Sequence, residues 1–210
     1  MDESTETINM NQKQKLNTIN HWIFDMDGTL TISAHDFDFM RAELGLPENV
    51  PILEALYAIP IQQSTPLWEK LNEMEFYFAG KSTIMDGTAE LLEKLYSRGA
   101  LLGILTRNVF PVVKETLQTC GIANFFKAEH ILDRDACAPK PSPDGIYHLL
   151  NYWQAEAQDT IMVGDYLYDL QAGKSAGVTT IHLDSLGEET WPEYTDIYIR
   201  EFSEIVGLVG

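Results

Sequence analysis

From residue 85 onward, apolar and polar positions along the chain switch repeatedly between two periods. "DGTAELLEKLYSRG" (86–99) carries leucines at helical spacing, with Gly87-Thr88 at its entry and Gly99 as its stop. "ALLGILT" (100–106) is a short apolar run, the pattern of a strand buried on both faces. "PVVKETLQTCGI" (111–122) opens on proline and closes on glycine, which predicts a helix. "FFKAEHIL" (125–132) is strand-like, and "SPDGIYHLLNYW" (142–153) reads as a helix with Ser142 as its cap. "DTIMVGD" (159–165) predicts a buried strand, "YLYDLQAGKSAG" (166–177) a helix, and "VTTIHL" (178–183) a strand. "TDIYIR" (195–200) and "EFSEIVGLV" (201–209) complete the series as strand and short helix. This alternation predicts an α/β fold with a doubly wound parallel sheet, in which ligands sit beyond the carboxyl ends of the strands.

The first strand comes earlier. In "HWIFDMDGTLT" (21–31) an apolar run drops into Asp25 and Asp27, then Gly28. Residues 33–83 break the rhythm: "DFDFMRAELG", "NVPILEALYAI" and "TPLWEKLNEMEFYFAG" predict three short helices punctuated by prolines. The expected organisation is therefore a flexible extension (1–17), an α/β core (18–32 and 84–210) and a small all-helical cap insert (33–83). Within the insert, Phe37, Phe39, Trp68, Phe76, Tyr77 and Phe78 read as cap core, and His35 reads either as a leaving-group contact or as a solvated histidine. "DSLGEETWPEYTD" (184–196) reads as a solvated loop.

Charge narrows the partners. With 14 Lys+Arg against 32 Asp+Glu, the formal charge is −18. That field repels nucleic acid and anionic membrane surfaces, so neither is expected as a partner. It also repels small anions, so an anionic substrate needs a local cationic centre. No apolar run reaches the roughly 18 residues of a membrane span, and the start has no signal-peptide pattern. Cys120 and Cys137 form no disulfide framework and read as small buried hydrophobes. A cytoplasmic protein is expected, as a monomer or weak homodimer.

Four segments carry candidate chemistry. Asp25 and Asp27 end the first strand, although an Asp-Gly turn fits that segment equally well. In "GILTRN" Thr106 closes the second buried strand, followed by Arg107 and Asn108, where a helix cap is the plain alternative. Lys140 stands between two prolines in "APKPSPDGI". Asp165 and Asp169 in "VGDYLYDL" lie four residues apart, on one side of a helix start. All map to one edge of one sheet. Clustered carboxylates repel unless a divalent cation lies among them, and hard oxygen ligands with room for water suit Mg2+.

The ordered set "DMDGT", "LTRN", "PKPSPDG" and "GDYLYD" resembles the four motifs of the haloacid dehalogenase superfamily, over roughly Trp22 to Asp184. The helical insert resembles the small cap of its phosphoglycolate phosphatase-like branch. The resemblance implies a Rossmann-like core and a magnesium-dependent phosphatase acting on a small phosphorylated metabolite. It implies Asp25 as nucleophile, forming an aspartyl-phosphate, and Asp27 as acid/base. It implies Asp25, the main-chain carbonyl of Asp27, and Asp165 as metal ligands, with Asp169 behind them. Thr106 and Lys140 would hold the phosphoryl group, with Arg107 and Asn108 beside the substrate. An aspartate at position 27 favours phosphoester over carbon–halogen chemistry, since dehalogenases of this superfamily lack it. A sugar phosphomutase would use the same core residues, and a catalytically idle binding protein is the remaining alternative.

Overall fold

The computed structural model describes residues 8–32, 34–187 and 190–210. Residues 1–7 of the expected extension, Ser33 at the insert boundary, and Glu188 and Glu189 of the acidic loop lie outside the described residues.

The chain starts with α1 (Met10–Thr18), β1 (His21–Phe24) and the two-residue β2 (Thr31–Ile32). Three helices follow: α2 (Phe37–Leu44), α3 (Ile52–Tyr57) and α4 (Ile61–Ala79). β3 (Thr83–Ile84) then leads into α5 (Thr88–Ser97), β4 (Leu101–Leu105), α6 (Phe110–Thr119) and β5 (Ile131–Leu132). α7 (Asp144–Trp153), β6 (Thr160–Gly164), α8 (Leu167–Ala176), β7 (Thr179–Leu183), β8 (Ile197–Ile199) and α9 (Ser203–Val206) complete it. The main sheet has the order β5-β4-β1-β6-β7-β8, and every pair in it is parallel. The chain runs from β1 out to one edge, returns to the other side of β1, and runs out to the second edge. That reversal opens a crevice at the carboxyl end of β1.

Strand residues alternate between two helical layers. Trp22, Phe24, Ile161 and Val163 pack against α1, α5, α6 and α9, whereas Ile23 and Met162 face α7 and α8. Each large side chain buried this way contributes about 1.5–3 kcal/mol. Period-two burial on both faces is why these strands read as unbroken apolar runs. The insert has its own core of Met40, Leu44, Leu53, Leu56 and Leu71, with Trp68 and Phe78 against it. Among the described residues, no helix is long and apolar enough to cross a membrane.

Several expectations need correction. Residues 10–17 are not a frayed extension: Asn9 caps α1 through the amides of Asn11 and Gln12, and Leu16 is fully buried. The buried leucine, the capping box and hydrogen bonds from Gln12 to Asp196, Lys15 to Thr179 and Arg98 to the end of α1 dock this otherwise polar helix. "FFKAEHIL" is mostly two 3-10 turns, with only Ile131–Leu132 paired. Ser142 does not cap α7; Pro143 holds that position, and the Ser142 hydroxyl accepts from the Asp144 amide at 3.3 Å. Phe37, Phe39, Phe76 and Tyr77 are exposed, leaving Trp68 and Phe78 in the insert core. Cys120 and Cys137 are half-buried rather than buried. In the acidic loop, Asp184 is buried under the Tyr198 hydroxyl, and Trp191 packs on the ring of His182. β2 and β3, an antiparallel pair at the two roots of the insert, are too short to register as sequence patterns.

Candidate active site

Three parallel strands deliver their next residues to one place: β1 gives Asp25, β4 gives Thr106 and β6 gives Asp165. The turn after Asp25 brings its backbone hard against a carboxylate. Gly28 sits at φ +85°, and a Cβ there would lie 2.2 Å from Asp165 Oδ2, so only glycine fits. The Thr29 hydroxyl donates to Asp165 Oδ1 at 3.2 Å. At the end of β6, Gly164 leaves the space filled by the Asp169 side chain; a Cβ there would come within 2.2 Å of Asp169 Cβ. The carboxylate of Asp169 accepts from the Tyr166 amide at 3.1 Å, closing the first turn of α8. Asp169 is buried, not the exposed helix acid that its spacing alone allows.

Lys140 reaches into this group. Its Nζ lies 2.5 Å from Asp25 Oδ1 and 2.5 Å from Asp169 Oδ1, and its side chain is buried. Burial alone would lower its affinity for a proton, but the carboxylates of Asp169 and Asp25 outweigh burial and hold it above the ordinary lysine value. The carboxyl of Asp165 is raised well above its usual range by burial, reinforced by the charges of Asp25 and Asp169. Burial likewise pushes Asp169 up to about 6, with Asp25 adding to the rise and Lys140 opposing it.

Carboxylate oxygens of Asp25, Asp165 and Asp169 all lie within 4.8 Å of one another. Two buried acids and one half-buried acid against one ammonium leave uncompensated negative charge, in keeping with the raised values of Asp165 and Asp169. The donor set, all hard oxygen, therefore fits a divalent cation. The side chain of Asp27 is not in this cluster. It accepts from the Asn108 amide, and Asp27 Oδ1 lies 3.6 Å from His35 Nδ1. His35 is not a solvated loop residue. Its side chain is buried, stacks on Phe37, and is pushed down to about 4 by burial, which keeps it neutral near pH 7.

Thr106 is buried, and its Oγ1 accepts from the Asn108 amide at 3.2 Å. Arg107 turns away from the carboxylates: its guanidinium meets Glu54 of α3 at 2.5 Å and lies over the ring of Tyr168. Of the residues expected from sequence, the structure brings Asp25, Asp165, Asp169 and Lys140 together, places Thr106 on the same cleft, and pairs Asp27 with Asn108 beside them.

A cleft of about 670 Å³ opens above this point, between the sheet edge and the helical insert. Its insert side brings Phe37, Met40, Leu53, Glu54 and Glu75 to face Asp25. Charged contacts help tie insert to core: Arg107 with Glu54, and Arg134 with Asn72 (2.6 Å) and Glu75 (3.3 Å) on α4. Sequence reading missed Glu54, Glu75 and Arg134. Nothing in "LWEKLNEMEFYF" separates Glu75 from its solvated neighbours.

The haloacid dehalogenase-like hydrolase family matches residues 43–183. A haloacid dehalogenase-like hydrolase domain-containing protein of Arabidopsis thaliana is 33% identical over 196 residues, covering 88% of this chain and 77% of that protein. A phosphoglycolate phosphatase of Yersinia pseudotuberculosis is 26% identical, covering 93% of this chain and 95% of its own. In fold, the chain is similar to CbbY from Rhodobacter sphaeroides, solved in complex with phosphate. The TM-score is 0.71 at 21% identity, covering 89% of this chain and 96% of that one. The family match over most of the chain, together with the Arabidopsis relative, makes this protein a member of the haloacid dehalogenase-like hydrolases, and an enzyme.

Proposed function

We propose that the protein is a magnesium-dependent phosphatase that hydrolyses a small phosphate monoester through an aspartyl-phosphate on Asp25. The observation that carries this reading is Lys140 Nζ held 2.5 Å from both Asp25 and Asp169, with Asp165 in the same carboxylate cluster at the floor of the cleft. Such a centre suits a phosphoryl group, which needs a nucleophile in line and its own charge neutralised.

In the first step a carboxylate oxygen of Asp25 bonds to phosphorus while the bond from phosphorus to the alcohol oxygen breaks. Asp27 gives its proton to that oxygen, and the alcohol leaves. In the second step Asp27 takes a proton from water, whose oxygen bonds to phosphorus. The aspartyl bond breaks, releasing phosphate and restoring Asp25. Thr106 and Lys140 hold the phosphoryl oxygens, and Asn108 orients Asp27 through its side-chain amide. Magnesium held by Asp25, Asp165 and the Asp27 main-chain carbonyl, with Asp169 behind, would supply positive charge against the phosphoryl oxygens.

Residues 33–83 serve as a cap in this reading, excluding water from the cleft and facing the leaving group. Release of phosphate from p-nitrophenyl phosphate, with and without magnesium, tests the proposal. Turnover that needs magnesium and disappears in Asp25→Asn is expected. Failure of the wild type on this ester and on a broad panel of phosphorylated metabolites would overturn it.

A further inference from the structure

The insert side of the cleft has its own polar pattern. Phe37, Met40, Leu53 and Leu71 give it apolar walls, and its volume of about 670 Å³ holds much more than a two-carbon leaving group. Each lining arginine is already engaged. Arg41 pairs with Asp38 at 2.9 Å, and Arg107 pairs with Glu54 at 2.5 Å. Glu48, Glu54 and Glu75 face the same space, so the cleft beyond the phosphate position holds more acid than base. Among the described residues, a second anionic group on the substrate would have to compete with Asp38 or Glu54 for either lining arginine.

Glu75 stands out within this set. It is 6% exposed, and its Oε1 accepts from Arg134 at 3.3 Å. Its Oε2 is buried and has no hydrogen-bond partner among the described residues. A carboxylate oxygen left in that state is costly unless a donor arrives. Burial pushes the Glu75 carboxyl up to about 7, with Arg134 opposing the rise and Asp27 adding to it. Asp27 and Glu75 line the same cleft, so a leaving group served by Asp27 faces Glu75 as well.

We infer that Glu75, on the lining of the cleft, turns its buried, unpartnered Oε2 toward the substrate and accepts there a hydrogen bond from a hydroxyl or ammonium group on the leaving alcohol. The site therefore takes phosphate monoesters of polyols or amino alcohols and rejects those whose leaving group carries a carboxylate. This rests on the phosphatase reading above and names its substrate class.

The test compares kcat/KM for glycerol 3-phosphate, phosphoethanolamine, 2-phosphoglycolate and p-nitrophenyl phosphate at a pH above the Glu75 value of about 7, where its carboxylate is ionised, in the wild type and in Glu75→Gln. In the variant Arg134 holds the amide oxygen, so the NH2 takes the place of Oε2 and presents a donor to a donor. A hydrogen bond to a charged group is worth about 1.5–3 kcal/mol, so a loss of about 10- to 100-fold is expected for the glycerol ester, the ethanolamine ester or both. Whichever ester loses most identifies the donor. Turnover of p-nitrophenyl phosphate, which has no donor to offer, is expected to stay within about 3-fold, a residual well below one hydrogen bond. A uniform loss across all four esters would make Glu75 structural only and overturn the inference. So would a wild type that hydrolyses 2-phosphoglycolate as well as the donor-bearing esters, a ranking that needs no variant. Absence of p-nitrophenyl phosphate turnover in the wild type would instead strike the phosphatase reading itself.

Discussion

The ammonium of Lys140, from the loop before α7, lies 2.5 Å from Asp25 Oδ1 at the end of β1, across 115 residues of chain. Both groups are buried, so neither is tolerable without the other. Lys140→Met is expected to destabilise the protein by about 3–5 kcal/mol, because Asp25 and Asp169 lose their shared partner. Adding Asp169→Asn should recover part of that loss. Urea unfolding of the two single variants and the double variant checks the coupling, and strict additivity would refute it.

Asp25→Asn keeps the shape of the site but removes the nucleophile. Steady-state turnover is expected to fall more than about 1000-fold. Substantial residual turnover would remove Asp25 from that role.

Chelation by EDTA should abolish turnover, and magnesium should restore it. Magnesium at 100 times its Kd should also stabilise the fold by about 2.7 kcal/mol. Asp165→Asn is expected to lose that stabilisation, read as the shift in melting temperature on adding magnesium. An undiminished shift would place the cation elsewhere.

Gly28→Ala has two costs: a left-handed backbone at φ +85°, worth about 1–2 kcal/mol for a residue with a side chain, and a Cβ 2.2 Å from Asp165 Oδ2. Asp165 must move, so weaker magnesium-induced stabilisation is expected together with lower turnover. Magnesium titration by thermal melting measures the first effect independently of the second.

Glu75, buried against Arg134 and within the field of Asp27, links stability to pH. Its folded value of about 7 stands above the ordinary 4.5, so between those pH values the folded state binds the extra proton. Stability from this group is complete below about pH 4.5 and declines as pH rises to about 7, by up to about 3 kcal/mol. The stability of the wild type relative to Glu75→Gln should therefore fall across that window, as measured by denaturant unfolding at several pH values. A flat difference would show that Glu75 titrates normally.

Much of the core was legible because its strands are buried on both faces. "HWIF", "LLGIL" and "TIMVG" advertise themselves as apolar runs, and the acids and hydroxyl that end them fall at one sheet edge by topology alone. The errors occurred where a single long-range contact decides the structure. α1 is polar in composition and is held by Leu16, and β2 and β3 are two residues each, below any periodicity. Asp169 was placed by spacing, but its burial depends on the absence of a side chain at Gly164.

The sequence by itself determined the alternating strands and helices and the helical insert between β2 and β3, and it singled out Asp25, Asp27, Thr106, Lys140, Asp165 and Asp169 as candidates. Local chemistry and periodicity are sufficient for this, since β1, β4 and β6 each lead directly into a candidate residue. Only the tertiary structure decided what the insert presents to them. Glu54 meets Arg107 and Glu75 meets Arg134 across 53 and 59 residues. Such pairings depend on how two packed bodies meet, which no period along the chain encodes. The buried, half-satisfied carboxylate of Glu75 belongs to that meeting alone.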